Sequence, residues 1–477
     1  MTISDFLPAA PEISLLCSIC AVLLIDLFIS DEKRVVTFWL ALVALLLNIW
    51  VVVVSAPPDP TTIFDGSYIY DPLSQVLKVA ATAVVALGFF YARDYLRQVG
   101  MLKGEFFVLG LFGLLGIMIM ISAGSLLTMY LGLETLSLAL YALVAFDRES
   151  PQAAESAMKY FVLGAIASGA LLYGISWIYG VTGSLKFAEI SQSIAVRPEL
   201  NDVPLWFGMA FLVVGIAFKF GAVPFHMWLP DVYQGARSPV TLYIASAPKL
   251  AALALILRVL VDGLEGLHGV WQGMVMVIAV LSLVIGNVVA IAQSNIKRML
   301  GYSAIAHVGF ILLAVFAGSE AGYAASLFYT LTYVIMAAGA FGMVLLLSRQ
   351  GFEAEAIADF KGLNARSPWF ALMMLFFMFG MAGVPPWVGF FAKLNVINVV
   401  LDAGFPGLAI LMVLASVVGA YYYLRVVWYM YFERAEDKSV FQAGRDTRAL
   451  LSLNGLAVLA LGIAPGWLLA LCLAVIG

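Results

Sequence analysis

The 477-residue chain is 63% hydrophobic and only 11% charged, with a formal net charge of -4 at pH 7. An ordinary soluble domain is about 45–50% apolar and about 25% charged, so a soluble globular fold is excluded. No stretch rich in lysine and arginine indicates nucleic-acid binding, which excludes that class of function as well. The composition predicts one polytopic membrane domain over residues 1–477.

Apolar segments long enough to cross a bilayer, about 20 residues each, recur along the whole chain. They lie near residues 12–30, 35–56, 73–92, 105–122, 124–146, 157–181, 203–225, 240–261, 270–292, 301–317, 320–347, 367–400, 405–432 and 449–475. The sequence therefore predicts an all-α integral membrane protein with about 14 transmembrane helices.

Two of these helices carry a glycine-proline motif that predicts a break. Helix 7 contains Gly221-Ala-Val-Pro224, and helix 12 contains Gly383-Val-Pro-Pro386. Proline lacks the backbone N–H and clashes with the preceding turn, so both helices are expected to be interrupted. Unwound backbone at membrane depth is tolerated only within protein or beside a water-filled cavity.

The two breaks lie five helices apart, which suggests an internal repeat. Because five is odd, repeats of helices 4–8 and 9–13 would be inverted relative to each other in the membrane. The predicted organisation is then helices 1–3 (residues 1–103), a first repeat (104–262), a second repeat (263–433), and a C-terminal loop with helix 14 (434–477).

The basic residues in the loops predict the orientation. They follow odd-numbered helices, with only Lys186, Arg197 and Arg258 assigned to loops after even-numbered ones. Cytoplasmic loops are enriched in lysine and arginine, so the odd loops are expected to face the cytoplasm. Both termini would then lie on the outer side of the membrane.

Several ionisable residues fall within the predicted spans, where a charge costs at least about 2.5 kcal/mol and marks a functional site by default. The basic ones are Lys78, Lys219, Lys249, Lys393 and Arg425. Glu134 supplies a carboxylate, and the imidazole of His307 titrates near neutrality. We predict a proton-transfer chain at mid-membrane made of Glu134, Lys219, Lys249, Lys393 and His307.

Glu134 and Lys219 together predict a switch. Burial disfavours an ammonium group and a neighbouring carboxylate stabilises it. Movement of Glu134 away from Lys219 would therefore release the lysine's proton. A static buried ion pair is the alternative for these two residues.

Structural alternatives exist for the other groups as well. Lys249 and Lys393 could extend to the membrane interface. Lys78 and Arg425 could do the same or could contact another subunit, and these roles fit the two residues at least as well as proton transfer does. His226, at the cytoplasmic end of helix 7, fits either an interfacial hydrogen bond or proton uptake. His307 could simply be hydrogen-bonded to a neighbouring helix.

No nucleotide-binding glycine motif, zinc-protease motif or cysteine cluster for iron–sulfur ligation occurs in the sequence. The chain is therefore expected to bind no cofactor or metal of its own. Energy for moving protons uphill would come from a partner.

Three segments resemble the antiporter-like membrane subunits shared by respiratory complex I (NADH:quinone oxidoreductase) and Mrp-type sodium/proton antiporters. They are Lys219-Phe-Gly-Ala-Val-Pro-Phe-His226-Met-Trp-Leu-Pro-Asp231, Ser294-Asn-Ile-Lys-Arg-Met-Leu-Gly-Tyr-Ser-Ala-Ile-Ala-His307, and Gly383-Val-Pro-Pro-Trp-Val-Gly-Phe-Phe-Ala-Lys393. The Tyr-Leu-Gly-Leu motif before Glu134 resembles the family too, and the resemblance covers nearly the whole chain.

Within that family, the chain resembles the N type, the bacterial equivalent of mitochondrial subunit 2. The L type carries a long C-terminal extension, whereas this sequence stops at Gly477. The M type usually has a glutamate where Lys393 stands. Glu12 and Asp26 in the first helix also resemble N-type sequences.

This resemblance implies a role for each residue. Glu134 and Lys219 would be the modulating pair, Lys249 the central relay, and Lys393 the outward terminal group assisted by His307. FMN, iron–sulfur clusters and quinone would belong to partner subunits. The partners would be adjacent antiporter-like and small membrane subunits of complex I.

Two other functions remain open at the level of sequence. The same fold and charges would serve a subunit of an Mrp-type cation/proton antiporter. A non-pumping structural scaffold is the alternative from another class, although such a scaffold would gain nothing from charged groups at helix breaks.

Overall fold

The computed structural model describes residues 3–197, 202–349, 351–434 and 444–477. Two short strands, β1 (Thr61–Ile63) and β2 (Tyr68–Tyr70), pair antiparallel. The α-helices are α1 (Ala10–Asp26), α2 (Val35–Val54), α3 (Pro72–Gln98), α4 (Gly104–Ile121), α5 (Leu126–Val144), α6 (Pro151–Thr182), α7 (Phe187–Val196), α8 (Val203–Phe220), α9 (Trp228–Gly235), α10 (Ser238–Ala245), α11 (Ala247–Ile256), α12 (His268–Ile291), α13 (Ile296–Phe316), α14 (Glu320–Leu347), α15 (Leu363–Arg366), α16 (Pro368–Ala382), α17 (Val388–Asp402), α18 (Pro406–Phe432), α19 (Arg445–Ile463) and α20 (Gly466–Ile476).

Among the described residues, 13 helices are long and apolar enough to cross a membrane. α10 and α11 belong to one of them, Ser238–Gly263. α16 and α17, which are shorter and separated by a break, supply the remaining predicted crossing. The prediction of an all-α membrane protein with about 14 crossings is confirmed.

Both predicted helix breaks are present. α8 ends at Phe220 and is followed by Gly221 with φ +75°, and α16 ends at Ala382 and is followed by Gly383 with φ +83°. This left-handed conformation places a Cβ too close to the backbone, so glycine is the residue that closes such a helix end. The proline that follows each glycine prevents the helix from continuing.

Two further interruptions were not predicted. Predicted helix 8 is divided at Ser246, two residues before Pro248, into α10 and α11. The continuous helix predicted over residues 449–475 is wrong, because α19 ends at Ile463 and α20 begins after Pro465. In both places a proline removes a backbone donor from the helical ladder.

The assignment of Arg258 to a loop is also wrong. Its side chain lies inside the span that continues from α11, and only 4% of the residue is exposed. Its guanidinium forms an ion pair with Asp71 at 2.7 Å. A carboxylate distant in sequence therefore makes it possible to bury this charge.

The chain divides into two compact units. Unit 1 comprises Met1–Ala86, Lys103–Gly221 and Ala247–Val277, and unit 2 comprises Leu87–Leu102, Ala222–Ser246 and Ile278–Gly477. In unit 1, α4 packs on α5, and α6 packs on α8. In unit 2, α14 is the central helix and packs against α10, α13, α16, α17, α19 and α20.

Candidate functional site

Lys219 lies in the last turn of α8, just before the break at Gly221. Its Nζ donates a hydrogen bond to the Ser137 Oγ of α5 at 2.7 Å. The last turn of a helix presents unpaired carbonyl groups and the negative end of the helix dipole, both of which favour a cation. The ammonium therefore lies beside the interruption, bonded to a hydroxyl of the neighbouring helix.

Glu134 lies one turn before Ser137 on α5 and is half-buried. Its carboxylate accepts a hydrogen bond from the Ser168 hydroxyl of α6. Glu134 and Lys219 interact electrostatically, but among the described side chains no contact of 4 Å or less joins them. Each is instead bonded to a serine, so the structure places them close together without a direct ion pair.

Lys249 lies in the first turn of α11, directly after the interruption at Ser246, and is 2% exposed. Its Nζ donates to the carbonyl oxygen of Phe220 at 2.7 Å. Phe220 is the last residue of α8, and its carbonyl would be bonded within the helix if α8 continued. The break in one helix thus provides the acceptor for the buried lysine of another.

Lys393, on α17, is 8% exposed and makes the same kind of contact in unit 2. Its Nζ donates to the carbonyl oxygen of Ala382, the last residue of α16, at 2.8 Å. The ammonium also lies 5.4 Å from the centre of the Phe310 ring. In each unit a buried lysine is therefore bonded to the terminal carbonyl of a half-helix.

His307 is buried on α13 with both ring nitrogens paired. Nδ1 lies 2.7 Å from the Tyr329 hydroxyl, and Nε2 lies 3.0 Å from the Tyr423 hydroxyl. Tyr423 is also hydrogen-bonded to Ser303, one turn before His307. The imidazole therefore belongs to a continuous polar network across α13, α14 and α18.

A small cavity connects His307 with Lys393. It has room for about one water molecule. Its lining residues are Asn287, Ala306, His307, Phe310, Lys393, Ala415, Ser416, Tyr422 and Tyr423. A water in this cavity would lie against the Lys393 ammonium and the Tyr423 hydroxyl, which is already bonded to His307 Nε2, and so would link the lysine to the imidazole through Tyr423.

His226 lies in the segment between the break and α9 and is half-buried. Its ring stands edge-on to the Tyr302 ring, with the centroids 6.4 Å apart. Nδ1 is buried and has no hydrogen-bond partner among the described residues. Proton uptake and an interfacial role both remain compatible with this placement.

The two ambiguous residues have distinct environments. Arg425 donates to the carbonyl oxygens of Ile291 and Gln293, at 2.9 and 2.5 Å, where α12 ends. It therefore caps a helix terminus. Lys78 is fully buried and pairs with Glu12 at 2.7 Å, in unit 1.

Sequence reasoning missed the neutral partners of these charges, which are Ser137, Ser168, Tyr329 and Tyr423. The sequence does contain a signal for Ser137, because this residue lies three positions after Glu134 and so shares its helix face. The others come from distant parts of the chain, and no local spacing identifies them.

Buried lysines bonded at helix breaks, together with a buried imidazole bonded to two tyrosines, define a class of polytopic membrane protein that moves ions. Comparison with known proteins narrows this class. Residues 123–419 match the model of the family described as NADH:quinone oxidoreductase/Mrp antiporter, TM.

Two curated relatives are similar along nearly their full length. The chain is 56% identical to NADH-quinone oxidoreductase subunit N of Thioalkalivibrio sulfidiphilus, over 98% of each chain. It is 53% identical to the subunit N of Thiobacillus denitrificans, over 100% of this chain and 99% of the other. Among solved structures, a chain of respiratory complex I from Thermus thermophilus is 30% identical, with a TM-score of 0.81 and coverage of 96% of this chain and 98% of that one. The chain belongs to the family of NADH-quinone oxidoreductase N subunits.

Proposed function

We propose that this chain is a proton-translocating membrane subunit of a bacterial NADH:quinone oxidoreductase. The observation that carries the proposal is the pair of buried lysines, Lys249 and Lys393, each bonded to the last carbonyl of a half-helix. A scaffold would be at least as stable with apolar residues there, because burying an ammonium is costly.

The proposed proton path uses the groups of each unit in turn. In unit 1, Lys219 carries a proton under the influence of Glu134, and Lys249 relays it. In unit 2, Lys393 exchanges protons with His307 through the cavity that both line. His226 is proposed as a group for proton uptake.

The absence of a direct contact between Glu134 and Lys219 among the described side chains suggests how the switch works. The carboxylate and the ammonium interact through space but are bonded to different serines. A small displacement of α5 would bring them into direct contact and hold the proton on Lys219. Without that contact the ammonium depends on Ser137 alone for a hydrogen bond, which would favour release of its proton.

Electron transfer would take place on partner subunits that carry FMN, iron–sulfur clusters and quinone, with no redox group on this chain. Moving one charge against 100 mV requires about 2.3 kcal/mol. The partners would be neighbouring antiporter-like and small membrane subunits, in the inner membrane, with both termini of this chain on the periplasmic side.

A Lys219→Ala substitution tests the proposal. We expect NADH-driven proton pumping and NADH:quinone turnover both to fall sharply while the assembled complex stays at normal abundance. Lys159→Ala is the matched control, because Lys159 is largely exposed and pairs with Glu155 on the helix surface. If assembly, turnover and pumping are unchanged in Lys219→Ala, the proton-translocation proposal is wrong and the non-pumping scaffold becomes the favoured function.

An Mrp-type cation/proton antiporter is the second candidate, because the matching family includes both kinds of protein. Sodium-dependent proton transport in the absence of NADH oxidation would identify it. The high identity to oxidoreductase subunits over the full length favours the first candidate.

A further inference from the structure

Unit 1 contains a second group of buried charges that the proposed path does not use. Lys78, two turns into α3, is fully buried, and Glu12, in the first turn of α1, is 8% exposed. Lys78 Nζ and Glu12 Oε1 are 2.7 Å apart. The two residues are 66 positions apart in sequence, and the fold brings them together.

Tyr68 completes this group, because its hydroxyl bonds to both charges. It donates to Glu12 Oε2 at 2.6 Å and accepts from Lys78 Nζ at 2.8 Å. The Pro8 carbonyl oxygen is a longer, alternative acceptor at 3.1 Å. We refer to Glu12, Tyr68 and Lys78 as the N-terminal triad.

The chain positions Tyr68 through the β-hairpin that precedes α3. Side chains on a strand alternate between its two faces, so Tyr68 and Tyr70 share one face of β2. The Tyr70 hydroxyl donates to the Val52 carbonyl oxygen and takes no part in the triad. The hairpin therefore delivers one hydroxyl to the charges and uses the other to hold α2.

Stability alone does not account for the triad. Replacement of a buried ion pair by apolar residues of similar volume is often neutral or stabilising. Apolar side chains could therefore join α1 to α3 as well as Glu12 and Lys78 do. What the triad adds is an unbroken hydrogen-bonded sequence of ammonium, phenol and carboxylate.

A second buried pair lies beside the triad. Arg258 bonds to both carboxylate oxygens of Asp71, at 2.8 and 2.7 Å, and to Asp262 at 3.0 Å. Lys78 interacts electrostatically with Asp71 and Arg258. Burial alone would raise the pKa of Asp71, but Arg258 and Ser74 lower it below its ordinary value, so Asp71 stays ionised.

These charges do not balance. Glu12, Asp71 and Asp262 face two cations, Lys78 and Arg258, which leaves one negative charge in excess when all are ionised. The Asp262 side chain is 40% exposed and gives the cluster access to its surroundings. One additional proton would make the whole cluster neutral.

The helix that carries the central relay also reaches this cluster. Arg258 follows Lys249 by nine residues, which is about 13 Å along a helix at 1.5 Å per residue. The helix widens into a π-helical turn over Leu257–Gly263 at this point. Such turns often occur at functional sites in helices.

We propose that the N-terminal triad is a further proton-transfer site of this chain, and this inference rests on the proposed function. A proton moves from Lys78 Nζ to the Tyr68 oxygen while the proton of Tyr68 moves to Glu12 Oε2. One N–H and one O–H bond break, two O–H bonds form, and a neutral amine and a carboxylic acid result. The next proton reaches the amine from the side of the cluster where Asp262 is exposed, and Glu12, whose side chain is 9% exposed, releases the proton it received to its own surroundings.

The chemistry of Tyr68 suits this exchange. Burial, and then the neighbouring Glu12 carboxylate, raise the pKa of Tyr68 well above its ordinary value. The phenol therefore keeps a proton and passes it on only as it receives another. A neutral acid–amine pair is also less costly to bury than the two ions.

The test compares two tyrosine variants in the assembled complex. We expect Tyr68→Phe, which removes only the hydroxyl of the triad, to lower the protons pumped per NADH oxidised to less than half. Tyr70→Phe, which removes the neighbouring hydroxyl on the same strand, should retain the normal ratio. A normal ratio in an assembled Tyr68→Phe complex overturns the proposal.

A second variant covers the case in which Tyr68→Phe does not assemble. The double substitution Glu12→Gln with Lys78→Met removes the charges and keeps the volumes. An assembled complex with a lowered pumping ratio supports proton transfer, whereas a normal ratio overturns it.

Infrared difference spectra give a readout that does not depend on the other lysines. NADH oxidation in membranes should produce a carboxylic-acid C=O band that is absent in Glu12→Gln, and its persistence in that variant overturns the proposal.

The Lys219→Ala variant distinguishes a failure of the proposed proton path from a failure of the triad proposal. If Lys219→Ala pumps normally but the Glu12 band is present, the path proposed above is wrong and the triad is retained.

Discussion

The neutral residues around the lysines decide what each charge can do. Ser137 is the hydrogen-bond acceptor of Lys219, and it also donates to the Leu133 carbonyl oxygen at 2.6 Å. A serine can do both because its hydroxyl is a donor and an acceptor. It therefore stabilises the ammonium without the permanent negative charge of a carboxylate, which leaves Glu134 free to modulate it.

Ser137→Ala tests this role. A hydrogen bond to a charged group contributes about 1.5–3 kcal/mol, and its loss leaves Lys219 without that acceptor. We expect NADH-driven pumping to fall about tenfold, since roughly 1.4 kcal/mol corresponds to a factor of ten.

Thr135→Val is the control, because Thr135 lies on the same helix and, within the described residues, its hydroxyl bonds to the Leu131 carbonyl oxygen alone. An unchanged pumping rate in assembled Ser137→Ala complexes would show that Ser137 does not support the lysine.

At the scale of helices, each break does two things. The glycine ends a half-helix, and the last carbonyl of that half-helix accepts a hydrogen bond from a buried lysine. At Gly383 these functions are physically linked, because a Cβ there would lie 2.8 Å from Lys393 Cδ and 3.3 Å from Nζ. The glycine thus permits both the turn and the approach of the ammonium.

Gly383→Ala should therefore impair pumping more than it impairs folding. A left-handed conformation costs an L residue about 1–2 kcal/mol, and the new methyl group also displaces Lys393. Gly404→Ala is the matched control, since Gly404 has φ +87° and open space around it. We expect both variants to lower thermal stability in detergent by similar amounts, but only Gly383→Ala to lower pumping. Equal pumping by the two variants would contradict the proposed link.

The sequence predicts the breaks but not the partners. Gly221 and Gly383, each followed by proline, are local signals, and the structure has a break at both. The division at Ser246 and the end of α19 were missed, although Pro248 and Pro465 lie inside the predicted spans, where a proline lacks the N–H that would continue the helix. Pairings such as Glu12 with Lys78 depend on which helices pack together, and hydrophobic periodicity carries no information about that.

Electroneutrality is the one rule that could have recovered some of these pairings. Arg258 lies near the end of an apolar span, and its burial requires a carboxylate that the local sequence supplies only in part, through Asp262. The second carboxylate, Asp71, comes from the start of α3. A basic residue near a span end is therefore not safely counted as a loop residue when orientation is predicted.

At the scale of the whole molecule, each unit holds a buried lysine that is bonded to the last carbonyl of a half-helix, Lys249 in unit 1 and Lys393 in unit 2. Two such sites can work in series on one proton path or in parallel on separate paths. The kinetics of variants distinguish these cases, because residues that act as one functional unit show strongly non-additive effects.

Lys249→Met and Lys393→Met, alone and combined, provide the test. If the sites act in series, as proposed, either substitution interrupts the path, and the double variant should pump no more slowly than the worse single variant. The measurement is the NADH-driven pumping rate per assembled complex, with Lys159→Met as a control for an exposed lysine. In parallel paths, each single variant would retain the contribution of the other site, and the double variant would lose both. That outcome would require two independent proton paths in this chain, and the cavity shared by Lys393 and His307 would then belong to the second.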